Sequence, residues 1–159
     1  MIIFSCWTFA TVAILEAYYK IKKNKSLKLS EQNLVDCCSY GCDGGLPSIA
    51  FEHIKSKGIA NSSYSNYNAV VGKCLPVDRS PINLKGYANV TSNDEYLLKK
   101  AVAKGPVIAA IDFSLDSFLF YKDGIYFDQE CSSENVNHAI VITGYGTENG
   151  TDFWWIRNS

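Results

Sequence analysis

Several features are missing from this chain, and each absence narrows what it can be. No apolar run in its 159 residues reaches the roughly 18 residues of a membrane span, so no membrane partner is expected. Neither charge dominates: 15 Lys and Arg stand against 16 Asp and Glu, for a net charge of −1, and no basic stripe offers itself to nucleic acid. There is no internal repeat and no low-complexity tract. Met1-Ile2-Ile3-Phe4 is too short for the apolar core of a signal peptide. No cofactor and no metal are assigned. Histidine is scarce: with two in the chain, an imidazole base is either His53 or His138. What the chain does have is 47% hydrophobic and 19% charged residues, the profile of a globular protein with material for a substantial core.

Of the six cysteines, Cys6 stands out by position. Cys6-Trp7 opens the segment from Trp7 to Lys20, which is rich in helix formers and free of Gly and Pro. A thiol at a helix N-terminus lies among unpaired N–H groups and the positive end of the dipole, and both favour the thiolate. Taken alone, such a cysteine reads first as a small buried hydrophobe. The far end of the chain changes that balance. His138 stands at the mouth of the apolar, β-branched run Ala139-Ile140-Val141-Ile142, and Asn158 closes the aromatic run Phe153-Trp154-Trp155-Ile156-Arg157. A cysteine nucleophile needs a base, and the base needs a partner that fixes its tautomer and ring plane. His138 is the candidate base, because His53 lies in Phe51-Glu52-His53-Ile54-Lys55, which reads as a surface turn of an amphipathic helix.

Cysteine near the start, histidine about 130 residues on and asparagine soon after is the order of the papain and cathepsin cysteine peptidases, which this chain resembles. Leu29-Ser30-Glu31-Gln32-Asn33-Leu34-Val35-Asp36-Cys37, Gly41-Cys42-Asp43-Gly44-Gly45, Lys104-Gly105-Pro106-Val107, Asn137-His138-Ala139 and Trp155-Ile156-Arg157-Asn158-Ser159 are similar to further motifs of that family, in order and across the whole chain. The resemblance implies a peptidase in which Cys6 is the nucleophile, His138 the general acid and base, and Asn158 the residue that orients His138. It implies that the Cys6 backbone N–H is one oxyanion donor. The family's second donor is a Gln six residues before the nucleophile, a position upstream of Met1. Gly44 and Gly45 would pair with an extended peptide; Leu46, Pro47, Ala110, Val136 and Ala139 would line an apolar specificity pocket beside Asn137, with ordinary core packing the competing reading for Leu46, Ala110 and Val136. Protein or peptide substrates and cystatin-type inhibitors are the implied partners, and a lysosomal or extracellular location is implied.

The same resemblance implies a Cys37–Cys74 disulfide. Cys42 would ordinarily pair with a cysteine at the position of Ile3, and Cys131 with one beyond Ser159. The doublet Cys37-Cys38 followed by Gly41-Cys42 resembles cathepsin B-like chains, which makes a local Cys38–Cys42 bridge an expectation. Three Asn-x-Ser/Thr sequons, at Asn61, Asn89 and Asn149, agree with a secretory route.

The organisation expected is α+β: a papain-like two-domain fold with a helical domain over 1–86 and an antiparallel, β-barrel-like domain over 87–159, with the cleft between them. Helices are predicted over Trp7–Lys20, Ser30–Val35, Pro47–Ser56 (packing through Ile49, Phe51 and Ile54) and Asn93–Lys104, and a loop rich in Asn and Ser over Asn61–Pro81. Strands are predicted over Ile82–Val90, Val107–Ile111, Gly124–Phe127, Ala139–Tyr145 and Phe153–Arg157, the last two joined by a turn at Glu148-Asn149-Gly150; Trp154 and Trp155 are read as strand packing. The family pattern extends beyond both ends, so the chain is expected to be a fragment or a truncated product. Ile3 and Phe4, standing where Cys-Gly is usual, keep open the alternative of a non-catalytic relic or binding protein. Other Cys-His enzymes such as transglutaminases or acyltransferases share the chemistry but not the Gly-Cys-Asp-Gly-Gly and Asn-Ser motifs.

Overall fold

The computed structural model describes residues 5–159; the expectations for Ile3 and Phe4 lie outside them. Helix α1 runs Cys6–Lys23, without an acidic residue in its first turn and with Lys20, Lys22 and Lys23 in its last, as the dipole favours. Asn24 ends it in the left-handed region (φ 52°) and returns its N–H to the Lys20 carbonyl. The first half of α1 is buried on two sides. Trp7 and Val12 join Leu34, Ala50, Ile54 and Ile59 in one core, while Ala10 and Ala13 meet Ala139 and Val141 in another. The alanines let a strand approach the helix closely. The polar residues on this buried stretch serve themselves: Thr8 Oγ1 donates to the Ser5 carbonyl at 2.9 Å and Thr11 Oγ1 to that of Trp7 at 2.7 Å.

Helix α2 (Glu31–Cys37) is capped by Ser30, whose Oγ accepts the Asn33 N–H at 3.1 Å. Ser30 and Asn33 are both buried, so water cannot replace that bond. Ser30→Ala should therefore lower stability by about 1 kcal/mol, read as an earlier midpoint in urea with an unchanged slope. Buried side-chain amides then pull the following loop back onto α2. Gln32 Nε2 donates to the Val70 carbonyl (2.8 Å), its Oε1 accepts the Asn68 N–H (3.1 Å), and Asn33 Oδ1 accepts the Ala60 N–H (3.0 Å). The Cys37–Cys74 disulfide, spanning 37 residues, ties the same loop covalently. Helix α3 (Pro47–Lys57) starts on a proline, whose missing N–H costs nothing there, and stops at Gly58 (φ 81°). It packs chiefly through Ala50 and Ile54, with Ile49 and Phe51 half-buried.

Helix α4 (Glu95–Val102) is shorter than predicted: Asn93 adopts φ 60°, and Asp94 caps the helix by accepting the Leu97 N–H at 2.8 Å. After β1 (Val107–Ile111) comes α5 (Asp116–Leu119), a single turn that sequence reasoning did not anticipate. Strands β2 (His138–Glu148) and β3 (Thr151–Arg157) form a hairpin whose Asn149 and Gly150 both have positive φ (51° and 82°), the geometry that an Asn-Gly turn supplies. The sheet order is β1-β2-β3, antiparallel throughout. Alternate residues of β2 point to opposite faces and both faces are covered. Ala139 and Val141 lie against α1, whereas Ile140 and Ile142 lie against Val102 and Leu98 of α4. This is why the run reads as continuously apolar. Trp154 packs in the α4-side cluster and donates its indole N–H to Glu95 (3.1 Å), while Trp155 is 61% exposed.

Two predicted strands are corrected. Ile82–Val90 has no ladder partner among the described residues; its apolar residues Ile82 and Leu84 pack against the helical core. Gly124–Phe127 is likewise irregular, held by side chains such as Tyr126, which bonds Ser117 (2.8 Å) and stacks edge-on to Phe118. Alternating apolar residues make a strand only when another strand supplies the hydrogen bonds. The Cys38–Cys42 bridge is also corrected: both thiols are free. Cys38 points into the helical core, where burial pushes its thiol up to about 11, and Cys42 Sγ approaches the Ala69 carbonyl at 3.5 Å. Cys131 is free and exposed.

Candidate active site

Three separate elements converge on one point. Cys6 is the first residue of α1, His138 the first of β2, and Asn158 follows the last residue of β3. The small-residue contact of Ala10 and Ala13 with β2 brings the helix start to the strand start, and Cys6 Sγ accepts the Ala139 N–H at 3.4 Å. The hairpin does the rest. Val141 pairs with Arg157, so the residue after Arg157 falls beside the beginning of β2, and Asn158 Oδ1 meets His138 Nε2 at 2.6 Å. A register shift between Ile142 and Gly144 sets this alignment, and a one-residue slip would turn Asn158 to the other face. Nε2 is engaged by Asn158, and the Cys6 thiol lies close by, bonded to the N–H of the next residue, Ala139.

The electrostatics favour a charged pair. Burial by itself pushes the Cys6 thiol up. The His138 hydrogen bond, the Ala139 N–H, the His138 charge and the Trp7 N–H together outweigh it and hold the thiol below its ordinary value. His138 moves the opposite way: the bond with Cys6 raises it, burial opposes, and Asn158 and the Cys6 charge raise it further. A low thiol beside a high imidazole is the condition for a thiolate–imidazolium pair. His53, in α3, is half-buried rather than on the surface; burial and the Lys57 charge hold it below the usual imidazole value.

Other residues singled out from the sequence are placed as follows. Gly44 has φ 93°, which only glycine adopts without strain, and a Cβ on Gly45 would lie 2.9 Å from the Trp7 indole. Leu46 is 63% exposed and Val136 43% exposed; Ala110 is also exposed, on β1, paired in register with Ala139. Pro47 is half-buried as the first residue of α3. Ala139 borders a cavity of about 40 Å³ shared with Ala10, Ala13, Arg157 and Asn158. Asn137 is occupied in holding the chain: its N–H donates to the Ile111 carbonyl (3.0 Å) and its Oδ1 accepts the Phe113 N–H (2.8 Å). One residue beside the site was missed by sequence reasoning. Phe113 lies against the His138 ring, with centroids 4.6 Å apart. Nothing in the sequence around it marks it, because the contact is set by how the chain leaves β1.

A family described as papain family cysteine protease matches residues 4–159. The chain belongs to the papain family. It is 41% identical to cathepsin K of Mus musculus over 160 aligned positions, covering 98% of this chain and 49% of that protein. It is 46% identical to vignain of Phaseolus vulgaris over 162 positions, covering 98% of this chain and 44% of that protein. Among solved structures it is similar to digestive procathepsin L 3 of Tenebrio molitor larval midgut, with a TM-score of 0.90, 38% identity, and coverage of 97% of this chain and 52% of that one. It is also similar to the ragweed pollen protease Amb a 11 in its proform, with a TM-score of 0.89, 39% identity, and coverage of 97% and 43%. The chain thus spans about half the length of the relatives it matches. The α+β arrangement expected from the motifs is a partial papain fold, and Cys37–Cys74 is present as the resemblance implied.

Proposed function

We propose that the chain carries the Cys-His-Asn centre of a cysteine peptidase, with Cys6 as nucleophile, His138 as acid and base, and Asn158 as the residue that orients His138. The observation that carries this reading is the 2.6 Å His138–Asn158 hydrogen bond with the Cys6 thiol bonded to the N–H of the adjoining Ala139. The Cys6 thiolate attacks a peptide carbonyl carbon, forming a C–S bond and a tetrahedral oxyanion. The Cys6 N–H, at the helix start where no intrahelical acceptor is available, donates to that oxyanion. The C–N bond breaks as imidazolium His138 passes its proton to the leaving amine, leaving a thioester. His138, now neutral, takes a proton from water, whose oxygen attacks the thioester; the C–S bond breaks, the acid product leaves and the thiolate–imidazolium pair is restored.

In this reading residues 1–86 and 87–159 form the two walls of a cleft. Gly44 and Gly45 pair with an extended peptide, and Leu46, Pro47, Ala110, Val136 and Ala139 favour a hydrophobic side chain beside Asn137. Protein substrates, cystatin-type inhibitors and a lysosomal or extracellular location belong to the same proposal; the disulfide supports an oxidising compartment. Release of fluorophore from a peptide amide with Leu or Phe in the penultimate position tests it. The wild-type chain should cleave and Cys6→Ala should not. Cleavage that persists in Cys6→Ala would refute the assignment, and a wild-type chain that binds the peptide without cleaving it would favour a non-catalytic binding protein. Asn158→Ala should lower kcat/KM about tenfold, since it removes one exposed hydrogen bond to a charged ring.

A further inference from the structure

The His138 ring is held at its edge by Asn158 through Nε2, with the Cys6 thiol close by, yet an edge contact alone leaves the imidazole free to tilt. Phe113 covers one of its faces, with the rings 4.6 Å apart and inclined by 36°. Phe113 is itself fixed from two directions. Its backbone N–H donates to Asn137 Oδ1 at 2.8 Å, and its ring meets Phe118 edge to face at 5.5 Å. Phe118 in turn abuts Tyr126, and Tyr126 abuts Tyr121, so the ring against His138 ends a row of aromatics running back over α5. Asn137 adjoins His138 in the chain, so the side chain that holds Phe113 moves with the residue Phe113 covers.

We infer that Phe113 is a positioning residue for His138: its ring fixes the imidazole plane and stabilises the imidazolium through its π-face. This rests on the function proposed above. The physical case is that an aromatic face attracts a cation lying over it and that a packed ring limits the tilt of its neighbour. Other charges do not account for the effect. From α1 the group beside His138 is the Cys6 thiol; Asn158, just past β3, and Asn137, just before β2, are uncharged. The connection after β1 brings Asp112, whose carboxylate is occupied by the Ser114 N–H and hydroxyl and by the Ser132 N–H. The charged partner of the imidazolium is therefore the Cys6 thiolate, and Phe113 acts on the pair from outside it.

The test is the rate of Cys6 carbamidomethylation by iodoacetamide between pH 4 and 9 in the full chain, with the modified peptide identified by mass so that Cys42 and Cys131 do not contribute. The wild type should show a reactive plateau whose alkaline edge reports loss of the His138 proton. Phe113→Ala should move that edge down by about half a unit to one unit and slow alkylation at pH 6 about three- to tenfold. Phe113→Tyr should restore the profile, and Phe113→Leu, which keeps bulk without a π-face, should not. The ultraviolet circular dichroism of each variant confirms folding independently. A Phe113→Ala profile that superimposes on the wild type, or full restoration by Phe113→Leu, overturns the inference while leaving the Cys6–His138 pair standing. A wild-type chain with no low-pH plateau at Cys6 overturns the pair itself, and the inference with it.

Discussion

His138→Ala should cut the alkylation rate of Cys6 at pH 6 by on the order of 10³. The sign follows from the opposing influences on the thiol. Burial pushes it up, and the His138 hydrogen bond and charge are the main reason it lies below its ordinary value. With the imidazole gone, burial is opposed only by the Ala139 and Trp7 N–H groups, so the thiolate should form at higher pH than in the wild type. The wild type should therefore react already in mildly acidic solution. The rate rises as pH passes the lowered Cys6 value and changes again where His138 loses its proton and a lone thiolate replaces the ion pair. The variant should keep only a rising alkaline limb. Alkylation of His138→Ala at the wild-type rate at pH 6 would mean that the helix terminus alone activates the thiol.

Trp7→Ala should destabilise the chain by about 3–5 kcal/mol, whereas Trp7→Phe should cost far less. Trp7 is fully buried at the centre of the helical core, one residue from the nucleophile, and Gly45 lies flat against its indole. Truncation to alanine removes the packing partner of α2, α3 and the Gly44-Gly45 segment at once. The indole also carries a liability: Trp7 Nε1 is buried and has no hydrogen-bond partner among the described residues. Phenylalanine removes that unsatisfied donor, which returns roughly 1–3 kcal/mol against the area lost. Urea titration of the two variants separates these terms. Equal losses for Ala and Phe would show that the ring packing kept by phenylalanine contributes nothing, against this account. Trp7→Ala should also weaken peptide binding through Gly45, even where folding is retained at low temperature.

Much of the site was legible because its chemistry needs particular residue types in a fixed order. Cys6 at a helix start, one well-placed histidine and an asparagine closing the next strand could be read before any geometry was known. So could the elements whose signals are local: the Ser30 cap, the Asp94 region, Pro47 at a helix start, and the Asn149-Gly150 turn. What was not legible depended on partners distant in the chain. Ile82–Val90 and Gly124–Phe127 carry strand-forming residues, but no strand among the described residues completes their hydrogen bonds, and the former gives its apolar residues to the helical core instead. Cys38 and Cys42 are close in sequence, yet one thiol faces the core and the other the Ala69 carbonyl, a difference of direction that spacing does not encode. Phe113 has no motif around it, and its place over His138 comes from the Asn137 bond and the aromatic row behind it.

The central claim is that Cys6 is a nucleophile prepared by His138 to attack a substrate bound along Gly44-Gly45. Incubation of the chain at pH 6 with a peptidyl epoxide bearing a leucine side chain, followed by peptide mapping, tests it most directly. The account predicts one covalent adduct, on Cys6, that disappears in His138→Ala. An intact Cys6 after prolonged exposure of folded protein, or an adduct confined to Cys42 or Cys131, would contradict it.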